Sequence, residues 1–118
     1  MIACPVLIWD IPCIFQTLYR LKVSQYHGDA GDSIPESVYS GAAFSTIDKD
    51  NDVWSKHCAV EMRGAWWYTD CHQANLNGYN YDINDTVEHE GEGIIWKTFT
   101  TYDYALKSDI MAVRPLNV

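Results

Sequence analysis

The run FSTIDKDNDVWSKHCAVEMRGAWWYTDCH, residues 44–72, carries most of the features that point to a fold and a site in this chain of 118 residues. Its first part contains three alternating acids, Asp48, Asp50 and Asp52. Carboxylate oxygens at such short spacing are the hard donors that calcium prefers, and no cysteine lies between the acids. The acidic segment therefore indicates a calcium site.

An EF-hand loop does not explain the three acids. That motif has glycine at its sixth position and a bidentate glutamate at its twelfth. Counted from Asp48, those positions hold Val53 and Ala59. A D-x-D-x-D pattern is left, whose remaining ligands would be backbone carbonyls, and a solvated acidic turn without metal is the alternative.

The motifs in and around residues 44–72 resemble the fibrinogen C-terminal domain family. Besides the acidic run, the resemblance includes the aromatic segment Gly64–Tyr68, the pair at residues 71–72 and the segment Asn75–Gly78. The matching segments are residues 19–26, 31–33, 44–52, 58–59, 64–68, 71–72, 75–78, 93–97, 104–107 and 111–115. Together they correspond to the C-terminal half of the family's domain.

This resemblance implies an α+β fold of the fibrinogen C-terminal type. We expect a loop-rich subdomain that binds calcium and a ligand, with a small remnant of antiparallel sheet. The chain divides into a divergent apolar N-terminal segment, residues 1–18, and a partial fibrinogen C-terminal-like domain, residues 19–118. The first segment is expected to be either a truncated or divergent beginning or an apolar plug against the core.

Three strands are predicted from the hydrophobic pattern. Tyr19–Tyr26 alternates apolar and polar side chains, which is the period of a half-buried strand. The other two are Ile94–Phe99 and Ile110–Arg114, the last of which ends before Pro115. In the resembled family the first and third belong to one central sheet, so we expect them to pair with each other. Residues 48–81 show no sustained helical period.

Charge and composition exclude several classes of function. Sixteen acidic residues against eight basic ones give a net charge of -8, so the chain would repel the phosphate backbone of a nucleic acid. An aromatic content of 14% sets it apart from disordered sequences. No serine or cysteine stands in a recognisable catalytic spacing with a base and an orienting acid, so we expect a binding protein and not an enzyme.

The apolar run at residues 1–15 is too short to span a bilayer, and Pro5, Asp10 and Pro12 interrupt it. It also lacks the positive start and the small-residue cleavage site of a secretion signal. Secretion to the extracellular space is therefore an expectation from the family resemblance. Because no collagen-like or coiled-coil region precedes Tyr19, oligomers are expected only through regions absent from this chain.

Four cysteines, Cys4, Cys13, Cys58 and Cys71, allow three disulfide pairings. The resembled family bonds the pair that matches Cys58 and Cys71, and we predict the same bond here. It would close a loop of about fourteen residues and stabilise the fold by on the order of 3 kcal/mol in the chain-entropy model. Cys4 and Cys13 are left to pair with each other or to stay free.

The resemblance also assigns metal ligands. Asp50 and Asp52 are expected to donate side-chain oxygens to one Ca²⁺ ion. The carbonyls of Trp54 and Lys56 would complete the shell together with water. Asp48 is expected to lie outside this shell.

A ligand pocket near the calcium is expected from the family's sugar-binding members, which recognise acetylated groups. His72 and Tyr102 match two walls of that pocket. Met62 stands where an aromatic residue is usual, and Glu90 and Gly91 stand where a tyrosine and a small residue are usual. The acetyl-binding wall is therefore only partly preserved.

Two further expectations concern the residues before His72. In the family the peptide bond that matches Asp70–Cys71 is cis, and we expect a cis bond here. The aromatic residues Trp66, Trp67 and Tyr68 are expected to pack in the core and not to contact a ligand, since neighbouring aromatic side chains usually pack against each other.

The acids of residues 82–92 change the polarity expected near the pocket. This segment has five acids and no lysine or arginine; the acids are Asp82, Asp85, Glu88, Glu90 and Glu92. A solvated loop is one explanation. The other is a pocket that prefers an amine or another cation, since fibrinogen's own pocket captures a peptide amino terminus with acidic groups.

The predicted function is calcium-dependent extracellular recognition of carbohydrate or acetyl groups, as in a lectin that recognises patterns in innate immunity. One alternative is a module that binds a protein or peptide receptor partner, and another is a fragment without independent function. If the chain is secreted, the triplet Asn84-Asp85-Thr86 makes Asn84 an acceptor for N-glycosylation.

Overall fold

The computed structural model describes residues 6–10, 18–82 and 87–112, and for residues 6–10 it describes the backbone alone. The elements are, in chain order, β1 Val6–Asp10, β2 Lys22–His27, α1 Glu36–Tyr39, α2 Cys58–Glu61, β3 Ala74–Asn75, β4 Ile95–Trp96 and α3 Lys97–Thr100. Among the described residues, no helix has the length and apolar character needed to cross a bilayer. The loop-rich α+β architecture predicted from the sequence is confirmed.

The strands form two small antiparallel sheets. β1 pairs with β2, with Asp10 opposite Lys22 and Trp9 opposite Val23. β3 pairs with β4 in the second sheet. Two-stranded sheets are marginal on their own, so these depend on the packing of the loops around them.

One hydrophobic core joins residues from β2, both early helices, the aromatic run and β4. Its buried members are Leu21, Val23, Ala30, Ile34, Tyr39, Cys58, Ala59, Trp66, Trp67, Tyr68, Cys71, Ala74 and Trp96. Trp66, Trp67 and Tyr68 thus pack in the core, as predicted. Full burial of one large apolar side chain stabilises a fold by about 1.5–3 kcal/mol, so this cluster is a main source of stability.

Hydrogen bonds at the edge of the core join segments that are far apart in sequence. The buried Tyr39 hydroxyl accepts from the backbone N–H groups of Gln73 and Ala74. The Trp67 indole donates to the Tyr19 carbonyl at 2.6 Å. These bonds hold the segment from Tyr19 to α1 against the aromatic run and β3, where the candidate site lies.

The first two predicted strands are correct in position but not in extent. The first begins at Lys22 and continues to His27, while Tyr19 lies before it and is 40% exposed. The second is limited to β4, because α3 begins at Lys97. Within α3 the Thr98 N–H and hydroxyl bond to the upstream Ser33 and Ala30, and these tertiary contacts override the local strand preference.

The third predicted strand, Ile110–Arg114, is wrong in its described part. Residues 110–112 form no strand, and Ile110 is 83% exposed. Arg114 lies outside the described residues. The expected pairing with the first strand is not found among the described residues, where β2 pairs with β1 from the apolar N-terminal run and residues 110–112 form no strand.

This arrangement predicts unequal backbone protection at the two ends of residues 19–112. Leu21 is buried and its N–H donates to the Ala42 carbonyl at 2.9 Å, so its amide should exchange as slowly as the Cys58 amide. Ala112 is exposed and outside any strand, so it should exchange among the fastest amides. Hydrogen exchange on the purified chain measures both, and equal protection of Leu21 and Ala112 would contradict the described fold.

Candidate functional site

The predicted disulfide between Cys58 and Cys71 is present, with the two Cα atoms 5.4 Å apart. Cys58 is the first residue of α2, and Cys71 directly precedes His72. Both cysteines are buried. The bond therefore fixes the start of α2 to the segment that carries His72. Cys4 and Cys13 lie outside the described residues.

The acidic loop that precedes α2 is organised around the Asp52 carboxylate. Its two oxygens accept from the Trp54 N–H at 2.8 Å and from the Cys58 N–H at 2.9 Å. The Asp52 N–H in turn donates to the Asp50 carboxylate at 3.1 Å. Asp52 thus anchors the loop to the helix that carries the disulfide.

Burial raises the pKa of the Asp52 carboxyl above its ordinary value; the amides of Cys58 and Trp54 oppose this rise, and the neighbouring Asp50 carboxylate adds to it. Two carboxylates held this close repel each other, and a cation bound between them would relieve the repulsion. The donor chemistry of Asp50 and Asp52 therefore fits a hard divalent ion such as Ca²⁺.

Carboxylates alone would not complete such a shell. In residues 6–10, 18–82 and 87–112, no group of three or more His, Cys, Asp or Glu side chains could hold a metal ion. A site at Asp50 and Asp52 would need backbone carbonyls, of which Trp54 and Lys56 are the predicted donors. Asp48 is exposed and accepts from the Thr46 hydroxyl at 2.7 Å, which lowers the pKa of its carboxyl.

A pocket of about 260 Å³ lies beside the disulfide. Its lining residues are Trp54, Met62, Asp70, Cys71, His72, Glu90, Gly91 and Tyr102. The five residues predicted to bind a ligand, Met62, His72, Glu90, Gly91 and Tyr102, are thus brought together around one cavity. Their role in binding stays a prediction.

Sequence reasoning missed two lining residues, Trp54 and Asp70. The sequence predicted only a metal-binding carbonyl for Trp54, but the residue also lines the pocket, and the Asp52 carboxylate holds its backbone N–H. Asp70 directly precedes Cys71, so its sequence position was the available signal.

Hydrogen bonds between His72, Gly91 and Tyr102 hold three sides of the pocket together. The ring Nε2 of His72 donates to the Gly91 carbonyl at 2.9 Å, which places its proton on that nitrogen. The Gly91 N–H donates to the Tyr102 carbonyl at 3.1 Å, and the Tyr102 hydroxyl donates to the His72 carbonyl at 2.8 Å. Each wall is therefore bonded to the other two.

Gly91 must stay small in this arrangement. Its φ angle is +87°, which side-chain-bearing residues rarely adopt. An added Cβ would lie 3.3 Å from the His72 ring and 3.6 Å from the Met62 sulfur. A larger residue would therefore strain the backbone and press on two other walls.

The predicted cis bond between Asp70 and Cys71 is wrong, since this peptide bond is trans. The trans form is the lower in energy before a residue other than proline. The Thr69 N–H donates to the Cys71 carbonyl at 2.8 Å, and this hydrogen bond closes the turn around the trans peptide.

The acidic segment 82–92 is not uniformly solvated. Glu90 is exposed and lines the pocket, while Glu92 is only 2% exposed. Asp82 and Glu88 are exposed. Asp85 lies outside the described residues, as does the glycosylation acceptor Asn84.

Acidification should lower stability through His72. Burial lowers the pKa of this ring below its ordinary value of 6.5, and its hydrogen bonds only partly oppose the effect. The unfolded chain therefore binds a proton here more readily than the folded chain. Stability should be constant well above pH 6.5 and should fall as the pH drops below about 6.5 toward the lowered pKa.

Thermal unfolding between about pH 8 and pH 5 measures this dependence. His72→Gln keeps an N–H donor for the Gly91 carbonyl and should flatten the profile. His89→Gln changes an exposed histidine and should leave the profile as in the wild type. Equal acid sensitivity of His72→Gln and the wild type would contradict the assignment to His72.

Comparisons with known proteins agree with these features. The family model described as fibrinogen beta and gamma chains, C-terminal globular domain, matches residues 15–116. Human Angiopoietin-related protein 6 is 41% identical over 100 residues, which are 85% of this chain and 21% of the relative. Techylectin-5A from Tachypleus tridentatus is 41% identical over 99 residues, 84% of this chain and 32% of the relative. The chain thus spans at most about a third of these two curated relatives.

Solved structures share the fold. The fibrinogen-like globe domain of human ANGPTL6 superposes with a TM-score of 0.75 at 37% identity, over 84% of this chain and 43% of that one. Lamprey fibrin D-dimer, complexed with the peptide ligand Gly-His-Arg-Pro-amide, superposes with a TM-score of 0.68 at 32% identity, over 84% of this chain and 36% of that one. The predicted resemblance and fold type are confirmed, and the chain belongs to the fibrinogen C-terminal domain family.

Proposed function

We propose that this chain is an extracellular, non-enzymatic recognition module whose pocket takes the positively charged amino end of a peptide or protein ligand. The observation that carries the proposal is the charge of the pocket lining. Asp70 and Glu90 both line it and both are exposed at its surface. Within the described part of the chain, no lysine or arginine lines this pocket.

A peptide amino terminus suits this lining. It carries a positive charge at neutral pH, since its ordinary pKa is about 7.7–8.0. Its N–H groups can donate to the carboxylates of Asp70 and Glu90, and charge-assisted bonds of this kind are stronger than neutral ones. The net charge of -8 also favours the approach of cations.

Shape adds to the charge. Exposed ion pairs alone contribute only about 0–1 kcal/mol, so a specific site also needs enclosure. Trp54, Met62 and Tyr102 supply apolar surface around the carboxylates. The His72 ring and the Met62 sulfur pack closely around Gly91, which suits a first residue without a bulky side chain. A relative in lamprey fibrin, which is complexed with a peptide that begins with glycine, supports the same chemistry.

Recognition of acetylated carbohydrate is the second candidate. The apolar surfaces of Trp54, Met62 and Tyr102, beside a neutral His72, would accept an acetyl methyl group. The similarity to Techylectin-5A, which is a lectin by name, also favours this candidate. The two carboxylates are the feature that it leaves unexplained.

Calcium is proposed as the support of the pocket. Asp50 and Asp52 would hold the ion with their carboxylates, and Trp54 and Lys56 with their carbonyls. A bound ion supplies positive charge that neutralises the paired carboxylates and rigidifies the loop. Because Trp54 also lines the pocket, a rigid loop would fix one pocket wall.

The two candidates are separated by one peptide and its acetylated form. Calorimetry should detect binding of Gly-His-Arg-Pro-amide. Acetylation of the peptide's amino end should lower its affinity by on the order of tenfold, because the positive charge and two N–H donors are lost. Glu90→Gln should lower the affinity for the free-amine peptide by about twofold to fivefold. Glu36→Gln, a matched change in α1, should have no effect.

Tighter binding of the acetylated peptide than of the free amine would favour the lectin-like candidate instead. Absence of binding to either peptide, or to N-acetylglucosamine, would reject both uses of the pocket.

The calcium site predicts a loss of affinity in single variants. Asp50→Ala and Asp52→Ala should each lower calcium affinity by on the order of tenfold or more, because each removes one charged ligand. Asp48→Ala is the matched control and should retain nearly full affinity. Unchanged calcium uptake in both Asp50→Ala and Asp52→Ala, measured by calorimetry, would contradict the ligand assignment.

A further inference from the structure

Glu92 is a buried acid on the segment that forms one pocket wall. Its carboxylate accepts a hydrogen bond from the Tyr81 hydroxyl. The guanidinium of Arg63 lies 4.0 Å from the same carboxylate oxygen. A buried carboxylate is costly to desolvate unless it is paired, so these two contacts are what hold Glu92 inside.

Arg63 reaches Glu92 from an unusual backbone conformation. It follows the C-cap residue Met62 of α2 and has a φ angle of +51°, where glycine is the favoured residue. Its guanidinium stacks 3.8 Å from the centre of the Tyr79 ring, and Tyr79 packs edge-on against Tyr81. Backbone bonds of a Schellman motif fix this conformation, since the Arg63 N–H donates to the Val60 carbonyl at 3.4 Å and the Gly64 N–H to the Ala59 carbonyl at 3.1 Å. The end of α2 thus sets the position from which the Arg63 side chain reaches Glu92 and Tyr79.

Arg63 and Glu92 are each the next residue in sequence after a pocket wall. Arg63 follows Met62, which lines one wall, and Glu92 follows Glu90 and Gly91, which line another. The Met62 sulfur lies 3.6 Å from the position of a Cβ at Gly91, so the two walls are in near contact. The ion pair thus connects the backbones of both walls at adjacent residues.

We propose that the Arg63–Glu92 pair is a specificity-determining clamp, which fixes the separation of Met62 and Gly91 and thereby sets how large a ligand group the pocket admits. This inference rests on the proposed binding of a peptide amino end. Arg63 and Glu92 are positioning residues and touch no ligand. Without the pair, Met62 can move away from Gly91, which stays bonded to His72 and Tyr102, and the pocket accepts a larger first residue.

The affinity test uses two peptides that differ by one methyl group, Gly-His-Arg-Pro-amide and Ala-His-Arg-Pro-amide. The wild type should prefer the glycine peptide by about tenfold or more, since one extra methyl group in a tight pocket has an effect of that order. Arg63→Gln should reduce this ratio of affinities by about threefold or more, mainly because the variant binds the alanine peptide more tightly. Arg63→Lys, which keeps the charge, should restore part of the preference.

Two further variants keep the test decisive. Arg63→Gln/Glu92→Gln leaves no unpaired buried charge, keeps an acceptor for Tyr81 and should show the same relaxed ratio even if Arg63→Gln alone is unstable. Arg20→Gln is the matched control, because Arg20 donates to the Gly41 carbonyl and does not line the pocket. It should retain the wild-type ratio.

A second readout does not depend on any ligand. In the wild type, the Met62 methyl group should show a nuclear Overhauser effect to the Gly91 Hα, and this effect should weaken in the double variant. An unchanged effect together with an unchanged peptide ratio in the double variant would overturn the clamp. If the wild type binds neither peptide, the proposed function fails, and the Met62 to Gly91 effect still decides whether the clamp exists.

Discussion

The covalent bond between Cys58 and Cys71 is the constraint on which the rest of the site depends. The Cys58 N–H donates to the Asp52 carboxylate, and Cys71 is followed by the pocket residue His72. One crosslink therefore joins the acidic loop, the start of α2 and the floor of the pocket. The strands in this region have two residues and the helices four, so they supply few regular hydrogen bonds. The disulfide provides the restraint that longer elements would otherwise give.

Beside this crosslink, the pocket combines a hydrogen-bonded interior with exposed carboxylates. Reciprocal hydrogen bonds join His72, Gly91 and Tyr102, and burial keeps the histidine neutral. Two lining carboxylates, Asp70 and Glu90, are exposed. This division suits recognition, since enclosure supplies the shape that surface charges alone do not.

The motifs of residues 58–72 could be predicted from the sequence because their residue types and spacing are specific, and the disulfide and the buried aromatic run followed. The pairing of β1 with β2 could not be predicted, because the apolar run at residues 1–15 has no regular period that would indicate a strand or its partner. The helix α3 depends on contacts with Ser33 and Ala30, which are distant in sequence. The burial of Glu92 likewise depends on Arg63, and an acidic segment read alone predicts solvation.

We propose that this chain binds its ligand in the pocket beside the disulfide. A nitrogen-15 NMR titration of the calcium-loaded chain with Gly-His-Arg-Pro-amide tests this proposal. The largest chemical-shift changes should fall on the Gly91 amide, the His72 amide and the Trp54 indole N–H. Changes that concentrate instead on β1 and β2, with these three signals unmoved, would contradict it.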